Sequence, residues 1–443
     1  MSEQSIAEDS TINTIIRDQI EKHSGIHKHL LTLYREYEGK VPIKQRKLSD
    51  TNKINNKLAN DYRGSIVDSF AGYLFGNPIS YELLQGDLPD AIHERYEEEF
   101  RTFRTINDIP DLDAETGKMM GITGRAARLL YVDPEGDIRV VNIDPWQTAF
   151  FTDSRTGLPQ YAMRYYTMTR STGDGEETFI RVEWYDEQKV SYFEENKAGF
   201  YQFKEERPHG FDGVPLIEFI NNDEKQGDFE KVDSLIDAQD RILSDVQNEI
   251  EEFRNAYMIF KGAEIDVETV QAARQTGAFN VPDDGDVQYL TKNLNPEFVE
   301  KHKDTINQNI YKFSQSIDMG DDKFSGGAQS GESRKYKLIM MENKAIMKER
   351  KFSKALRQMF KVLASAWAKR QINIDYTDIR WNFTRNLPVE LNYEAEVLQK
   401  LYGITADRTA LAQMSFIDDP DEEIQRKKEE QEVYIDLDEG QDE

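Results

Sequence analysis

FEKVDSLIDAQDRILSDVQNEIEEF, residues 229–253, decides how the rest of this 443-residue chain is read. Val232, Leu235, Ile236, Leu243, Val246, Ile250 and Phe253, continued by Tyr257, recur at helical spacing and form one apolar stripe. Asp233, Asp237, Asp240 and Glu249 fall mostly on another face, which reads as a solvated one. The residues just before it, GVPLIEFINN, carry the short apolar run of a strand. The stretch is therefore the point at which a β region gives way to a long helix.

Downstream, Asn295-Pro296-Glu297 is a helix start: Asn caps, Pro occupies the first turn and Glu meets the helix dipole. That second helix runs to about Asp318 on Val299, Ile306, Ile310, Phe313 and Ile317. Between the two helices, residues 263–294 read as a small mixed insert. Thr269 to Gln275 is helical, and AFNVPDDGDVQYL is a hairpin turning on Asp283-Asp284-Gly285. DDKFSGGAQSGE (321–332), the most glycine-rich stretch, then leads into residues 333–371, which lack Gly and Pro. A helix of that length spans roughly 58 Å. Shorter helices are expected at 393–402 and 407–414, before an acidic end.

Upstream, residues 11–40 read as helix interrupted at Gly25. In residues 52–82 the stripe Ile54, Leu58, Tyr62, Ile66, Phe70 and Leu74 predicts a helix stopped by Gly76-Asn77-Pro78. Another helix is expected at 92–105. From Gly124, runs such as RAARLLYV, DIRVVNI, QYAMRYYTM, TFIRVEWY and KVSYFEE alternate with turn signals at 133–136, 154–157 and 173–175. They predict an antiparallel region of about 100 residues, so the fold class is α+β.

The totals narrow the function. The 23 Phe and 21 Tyr are too many for a disordered chain. The absence of cysteine excludes disulfides and thiolate metal sites and suits a reducing cytosol. The polar start MSEQSIAEDS is no signal peptide, and no apolar run approaches the length of a membrane span. A net charge of −27 opposes tight nucleic-acid binding. The charge is segregated: Arg334–Arg370 holds 12 basic and 2 acidic residues, and Ile417–Glu443 holds 13 acidic and 3 basic ones. Such asymmetry suits chains that stack against their own copies.

No reaction chemistry is legible. In DDKFSGGAQSGE the lysine precedes the glycines and a helix precedes the loop, the reverse of a phosphate-binding loop. His23, His27 and His29 have no acidic co-ligand beside them and read as exposed structural histidines. Asp111, Asp113, Glu115 and Gly117 are reminiscent of a calcium loop, but the glycine is one place late and no bidentate Glu follows, so they read as an ordinary acidic loop. No nucleophile elbow occurs, and neither a catalytic residue nor a cofactor is expected.

Four stretches in order carry a resemblance: NKINNKLANDYRGSIVDSFAGYLFGNPISY (52–81), GVPLIEFINNDEKQGDFEKVDSLIDAQDRILSDVQNEIEEF (213–253), SGESRKYKLIMMENKAIMKERKFSKAL (330–356) and LYGITADRTALAQMSFIDDPDEEIQRKKEE (401–430). Together they resemble the portal proteins of tailed bacteriophages, especially siphophages of Gram-positive hosts. The resemblance implies an α+β portal fold with a mainly helical stem, wing and crown, a β-rich wing region and a small mixed α/β clip. Its parts are a helical wing segment (1–123), the β-rich wing (124–225), stem helices (226–262 and 295–318), the clip (263–294), a tunnel loop (319–332), a long helix (333–372), a crown (373–430) and an acidic tail (431–443).

The resemblance further implies a dodecameric ring at the capsid vertex of the virion, assembled in the host cytoplasm. Double-stranded DNA passes through it during packaging and ejection. The implied partners are further copies of the chain, the terminase large subunit, a head–tail adaptor, and the major capsid and scaffolding proteins, with no membrane. Asp321, Asp322, Lys323, Phe324, Ser325, Gly326 and Gly327 would form the tunnel loop. Asp237, Asp240 and Glu249 would be the channel acids of the stem. Glu264, Asp266, Glu268, Asp283, Asp284 and Asp286 would give the clip a negative docking surface for terminase and adaptor.

The net charge suits a conduit: an acidic wall repels a duplex at short range, screened over roughly 8 Å in physiological salt, where lysines and arginines would hold it. Two rival readings stand beside this one. A packaging enzyme would need a nucleotide loop, which is absent. A coiled-coil scaffold or adaptor would leave the β-rich region unexplained.

Overall fold

Runs of β-branched and aromatic residues between 125 and 220 form two antiparallel sheets. The first has three strands in the order β3-β2-β9, with β2 Arg125–Val132, β3 Ile138–Ile143 and β9 Leu216–Ile220. The second is a five-stranded meander of β4 Thr148–Thr152, β5 Pro159–Thr172, β6 Gly175–Tyr185, β7 Lys189–Glu195 and β8 Tyr201–Pro208. These strands belong to a computed structural model that describes residues 3–50, 53–172, 175–253, 258–261, 286–289, 296–318 and 331–386, with parts of 268–271 and 398–427.

Helices surround the sheets: α1 Glu3–Tyr37, α2 Tyr62–Phe75, α3 Asp90–Ile106, α4 Ile109–Thr123, α5 Asp233–Phe253, α6 Pro296–Ser314 and α7 Gly331–Lys369. Helix α7 lies along β9, and its Phe352, Leu356, Met359, Phe360, Leu363 and Trp367 form the spine of the largest core cluster. Phe100 and Phe103 of α3 meet Trp367 edge-on, with ring centroids 6.2 and 5.8 Å apart. A short ladder of β1 Ser80–Leu83 with β12 Ile379–Asn382 joins chain regions about 300 residues apart.

Small residues set how closely the layers approach. A Cβ on Gly117 of α4 would stand 2.0 Å from the Phe75 ring of α2. Gly124, which closes α4, has φ +78°, and a Cβ there would lie 2.1 Å from the Lys225 carbonyl. Both positions are therefore closed to a larger residue.

The chain divides into two units, 1–385 and 386–443. Within the second, the described helical residues are 398–401, α8 Asp407–Leu411 and 423–427.

Several expectations change. Helix α1 runs without a break through Gly25, whose missing side chain faces open space. Residues 54–60 are not helical, and α2 begins only at Tyr62, with the Asp61 side chain capping the Gly64 N–H at 3.1 Å. Asp111, Asp113, Glu115 and Gly117 sit on helix α4 rather than in a loop. The histidines are not simply exposed. His23 is buried and its Nδ1 lies 2.8 Å from the Tyr165 hydroxyl, His27 bonds the Trp146 carbonyl, and His29 pairs with Glu230. Burial first, then the nearby Arg125, pushes His23 down to about 4, so it stays neutral inside the α1–sheet contact.

Candidate functional site

The hairpin of α5 and α6 is the feature that the sequence places at the centre of function. Its inner faces meet through residues such as Ile236, Ile306 and Ile310, all buried. At its far end, β10 Met258–Lys261 pairs antiparallel with β11 Asp286–Tyr289, closing the insert at its base. Strand β11 thus has a partner across the insert; the residues before it that the sequence predicts to turn back in a hairpin at 283–285 lie outside the described residues. Asp286 stands opposite Lys261 in that ladder, and Glu268 is exposed. Glu264, Asp266, Asp283 and Asp284 lie outside the described residues, as do Asp321, Asp322, Lys323, Phe324, Ser325, Gly326 and Gly327 of the glycine-rich loop.

Outward, the hairpin keeps apolar surface in solvent. Ile250 is 54% exposed, Phe298 68% and Phe313 54%. Ile250 and Phe313 are thus large apolar side chains left largely in solvent on two packed helices.

The acidic face of α5 is not solvated. Residues 55–60 run extended beside it and form a strap. The backbone N–H groups of Asn56, Leu58 and Asn60 donate to Asn248 Oδ1, Ser244 Oγ and Asp240 Oδ1 at 2.7, 2.9 and 2.8 Å. Alternate residues of the strap meet every fourth residue of the helix because two extended residues span about 6.6 Å and four helical ones about 6.0 Å. Asp240 is fully buried beneath this strap.

One turn earlier on α5, the buried Arg63 of α2 donates from Nε to Asp233 Oδ1 at 2.8 Å and from Nη2 to Asp237 Oδ1 at 2.9 Å. Glu36 of α1 completes the cluster, 3.6 Å from Arg63 Nε. Of the three expected channel acids, Asp237 and Asp240 are therefore engaged inside the chain, and Glu249 is half-buried farther along α5. The sequence stripe was read correctly for period and wrongly for what covers its polar side.

Three carboxylates around one guanidinium leave an excess of negative charge. Burial and then the Asp233 charge, against the pull of Arg63, push Glu36 up to about 7. The folded chain holds this proton to higher pH than the unfolded chain, so stability falls as pH rises from about 4.5 to about 7. Glu36→Gln should remove that slope. At pH 8 the variant should be more stable than the parent by on the order of 2 kcal/mol, and near pH 4.5 the two should coincide. Thermal unfolding across this range checks it; parallel curves would show that Glu36 titrates normally.

A second buried charge centre joins the hairpin to the rest. Asp228, just before α5, accepts from Lys348 Nζ at 2.5 Å and Asn221 Nδ2 at 3.1 Å, with Lys344 Nζ at 3.2 Å. Among the described residues no group of His, Asp and Glu is arranged to hold a metal, and no helix is long and apolar enough to cross a membrane.

A two-helix hairpin closed by a strand ladder is carried on a mixed α+β body and followed by a 39-residue helix. Comparison with known proteins gives the family. The family described as phage portal protein, SPP1 Gp6-like, matches residues 17–436, and the chain belongs to it. It is 28% identical to the portal protein of Bacillus phage SPP1, over 98% of this chain and 89% of that one. It is also 20% identical to the portal protein of Clostridium phage phiCD119, over 86% of each.

Proposed function

We propose that the chain is the repeating subunit of a ring, twelve copies by expectation, that occupies a capsid vertex and passes double-stranded DNA. The observation that carries this reading is the match of residues 17–436 to the portal family, supported by the exposed apolar side chains Ile250 and Phe313 on the α5–α6 hairpin. A heterologous interface repeated around a closing rotation would cover them. The charge of −27 per copy gives such a ring a wall that a duplex slides past. The role is structural and needs no catalytic residue or cofactor.

Native mass measurement tests the ring. A multiple of the 51.5 kDa chain is expected, with a central hole in negative-stain images. A monomer at micromolar concentration across several salt conditions would overturn the reading.

On the same reading, the insert at the hairpin tip, with Glu264, Asp266, Glu268, Asp283, Asp284 and Asp286, docks the terminase large subunit and later the head–tail adaptor. Major capsid and scaffolding proteins contact the outer body. Residues 319–332 form the tunnel loop. Gly326 and Gly327 give its backbone access to conformations closed to other residues, so each copy can shift separately as the helical duplex passes, while Gly331 opens helix α7. Lys323 touches phosphates briefly, Phe324 packs against the neighbouring loop, and Asp321 and Asp322 keep the contact weak. Deleting Phe324 to Gln329 should leave assembly intact and impair DNA packaging or retention. Normal packaging and full-length DNA in such particles would reduce the loop to a linker.

A further inference from the structure

Helix α7 carries two kinds of cation. On the side that meets α2, Lys344 and Lys348 serve Asp228 and lie 4.4 and 5.0 Å from the Phe70 ring centroid. Lys351 pairs with Asp223 and Lys369 with Asp212. Arg350, Lys354, Arg357 and Lys361 are different. Spaced four, three and four residues apart, they form one stripe, and all four are exposed. Among the described residues none of them is in an ion pair; Arg357 lies over the Trp381 ring at 5.4 Å.

Lys354 feels the charge of Asp223, which Lys351 already pairs, so in a chain with 27 excess negative charges this row of cations stays largely uncompensated and suits an external acid. Beside Lys354 opens a cleft of about 170 Å³ with apolar walls from Phe150, Tyr161, Leu216 and Ile220. Cations bordering an apolar cleft fit a protein surface with acidic and apolar side chains. A duplex would meet the cations and have no use for the cleft.

Direction supplies the rest. Met341, Lys344, Ala345, Lys348 and Phe352 are on the inward side of α7, and at 100° per residue the basic stripe lies about half a turn away. Helix α2, on the inward side, turns its own outer face the other way, with Asp61 and Asp68 exposed. Asp68 accepts the Tyr37 hydroxyl at 2.8 Å. Asp61 and Asp68, seven residues apart, fall on one side of α2, and α2 packs against α4, which carries the exposed Glu115. Neither Asp61 nor Asp68 has a cationic partner among the described residues, and Glu115 shares Lys118. The basic stripe and the acidic spot thus look outward from opposite sides of one layer.

We propose that the α7 stripe and its cleft dock against the Asp61–Asp68–Glu115 surface of a second copy of this chain, the next subunit in a head-to-tail ring. This rests on the ring reading above and assigns the faces that meet. Opposite faces of unlike charge are what a heterologous, closing interface uses.

The test compares the parent chain with R350E/K354E/K361E, with D68K/E115K, and with all five changes together. Assembly is followed by analytical ultracentrifugation, and circular dichroism checks that each variant folds. Arg357 is left alone because it packs on Trp381. In low salt each partial variant should need at least about tenfold more protein for half-assembly, with the gap narrowing as salt screens the contact. The five-fold variant should assemble again. Partial variants that assemble like the parent would overturn the proposal, and so would a five-fold variant as impaired as either part. Unchanged assembly with loss of duplex binding in the cation variant would make the stripe a DNA surface and overturn it too. A parent chain that never assembles would instead sink the ring reading itself.

Discussion

Asp228→Ala should lower the stability of the chain by about 3–5 kcal/mol. The carboxylate is fully buried and neutralises Lys348, which is itself 3% exposed, together with Lys344. Removing it leaves two ammonium groups facing each other in a space that excludes water. Burial alone would raise the Asp228 carboxyl, but the two lysines outweigh it and hold it below the ordinary range. Its contribution is therefore present at neutral pH and lost only as pH falls through that depressed value in strong acid. Denaturant unfolding at pH 7 measures the effect, and D228A/K344M/K348M should recover most of it because no charge is then stranded. A loss under about 1 kcal/mol for D228A would mean that the pair is solvated.

Arg128→Met should cost a similar amount, about 3–5 kcal/mol near neutral pH, with a different pH signature. Arg128 has no exposed surface. It donates to Asp113 Oδ1 at 2.7 Å, the Leu112 carbonyl at 3.0 Å and Thr116 Oγ1 at 2.8 Å, and its guanidinium stacks over Phe219 at 4.6 Å and Phe352 at 5.6 Å. Burial already raises the Asp113 carboxyl even with Arg128 beside it. Without the arginine, Asp113 would take up a proton readily, so the deficit should shrink as pH falls. Asp113 also accepts the Tyr81 hydroxyl at 2.6 Å, which D113N can retain. R128M/D113N should therefore be flat with pH. A deficit in R128M that does not change between pH 7 and 4 would assign the loss to packing rather than to a stranded charge.

The parts of this fold that follow from local chemistry were legible in the sequence. The α5 stripe, the Asn-Pro-Glu start of α6, the Gly- and Pro-free run of α7 and the alternation of sheets with glycine turns each report a period or a cap. What escaped was tertiary pairing of polar groups. Ile54 and Leu58 extend the α2 stripe by fours, yet Asn56 and Asn60 bond across to α5 and hold this stretch extended. Asp240, Ser244 and Asn248 recur every fourth residue, a pattern equally suited to water or to a strap. Only their partners, about 190 residues earlier, distinguish the two. Asp113 and Arg128 were hidden in the same way, because an acid-rich helix reads like a loop until its buried cation is seen.

The strap on α5 has a mechanical consequence. Its three backbone-to-side-chain bonds lie in a row along the helix axis, so a load directed along that axis strains all three together instead of unzipping them singly. A pull at right angles would open them one after another. Helix α5 is thus stiffly tethered against axial sliding and weakly tethered against peeling.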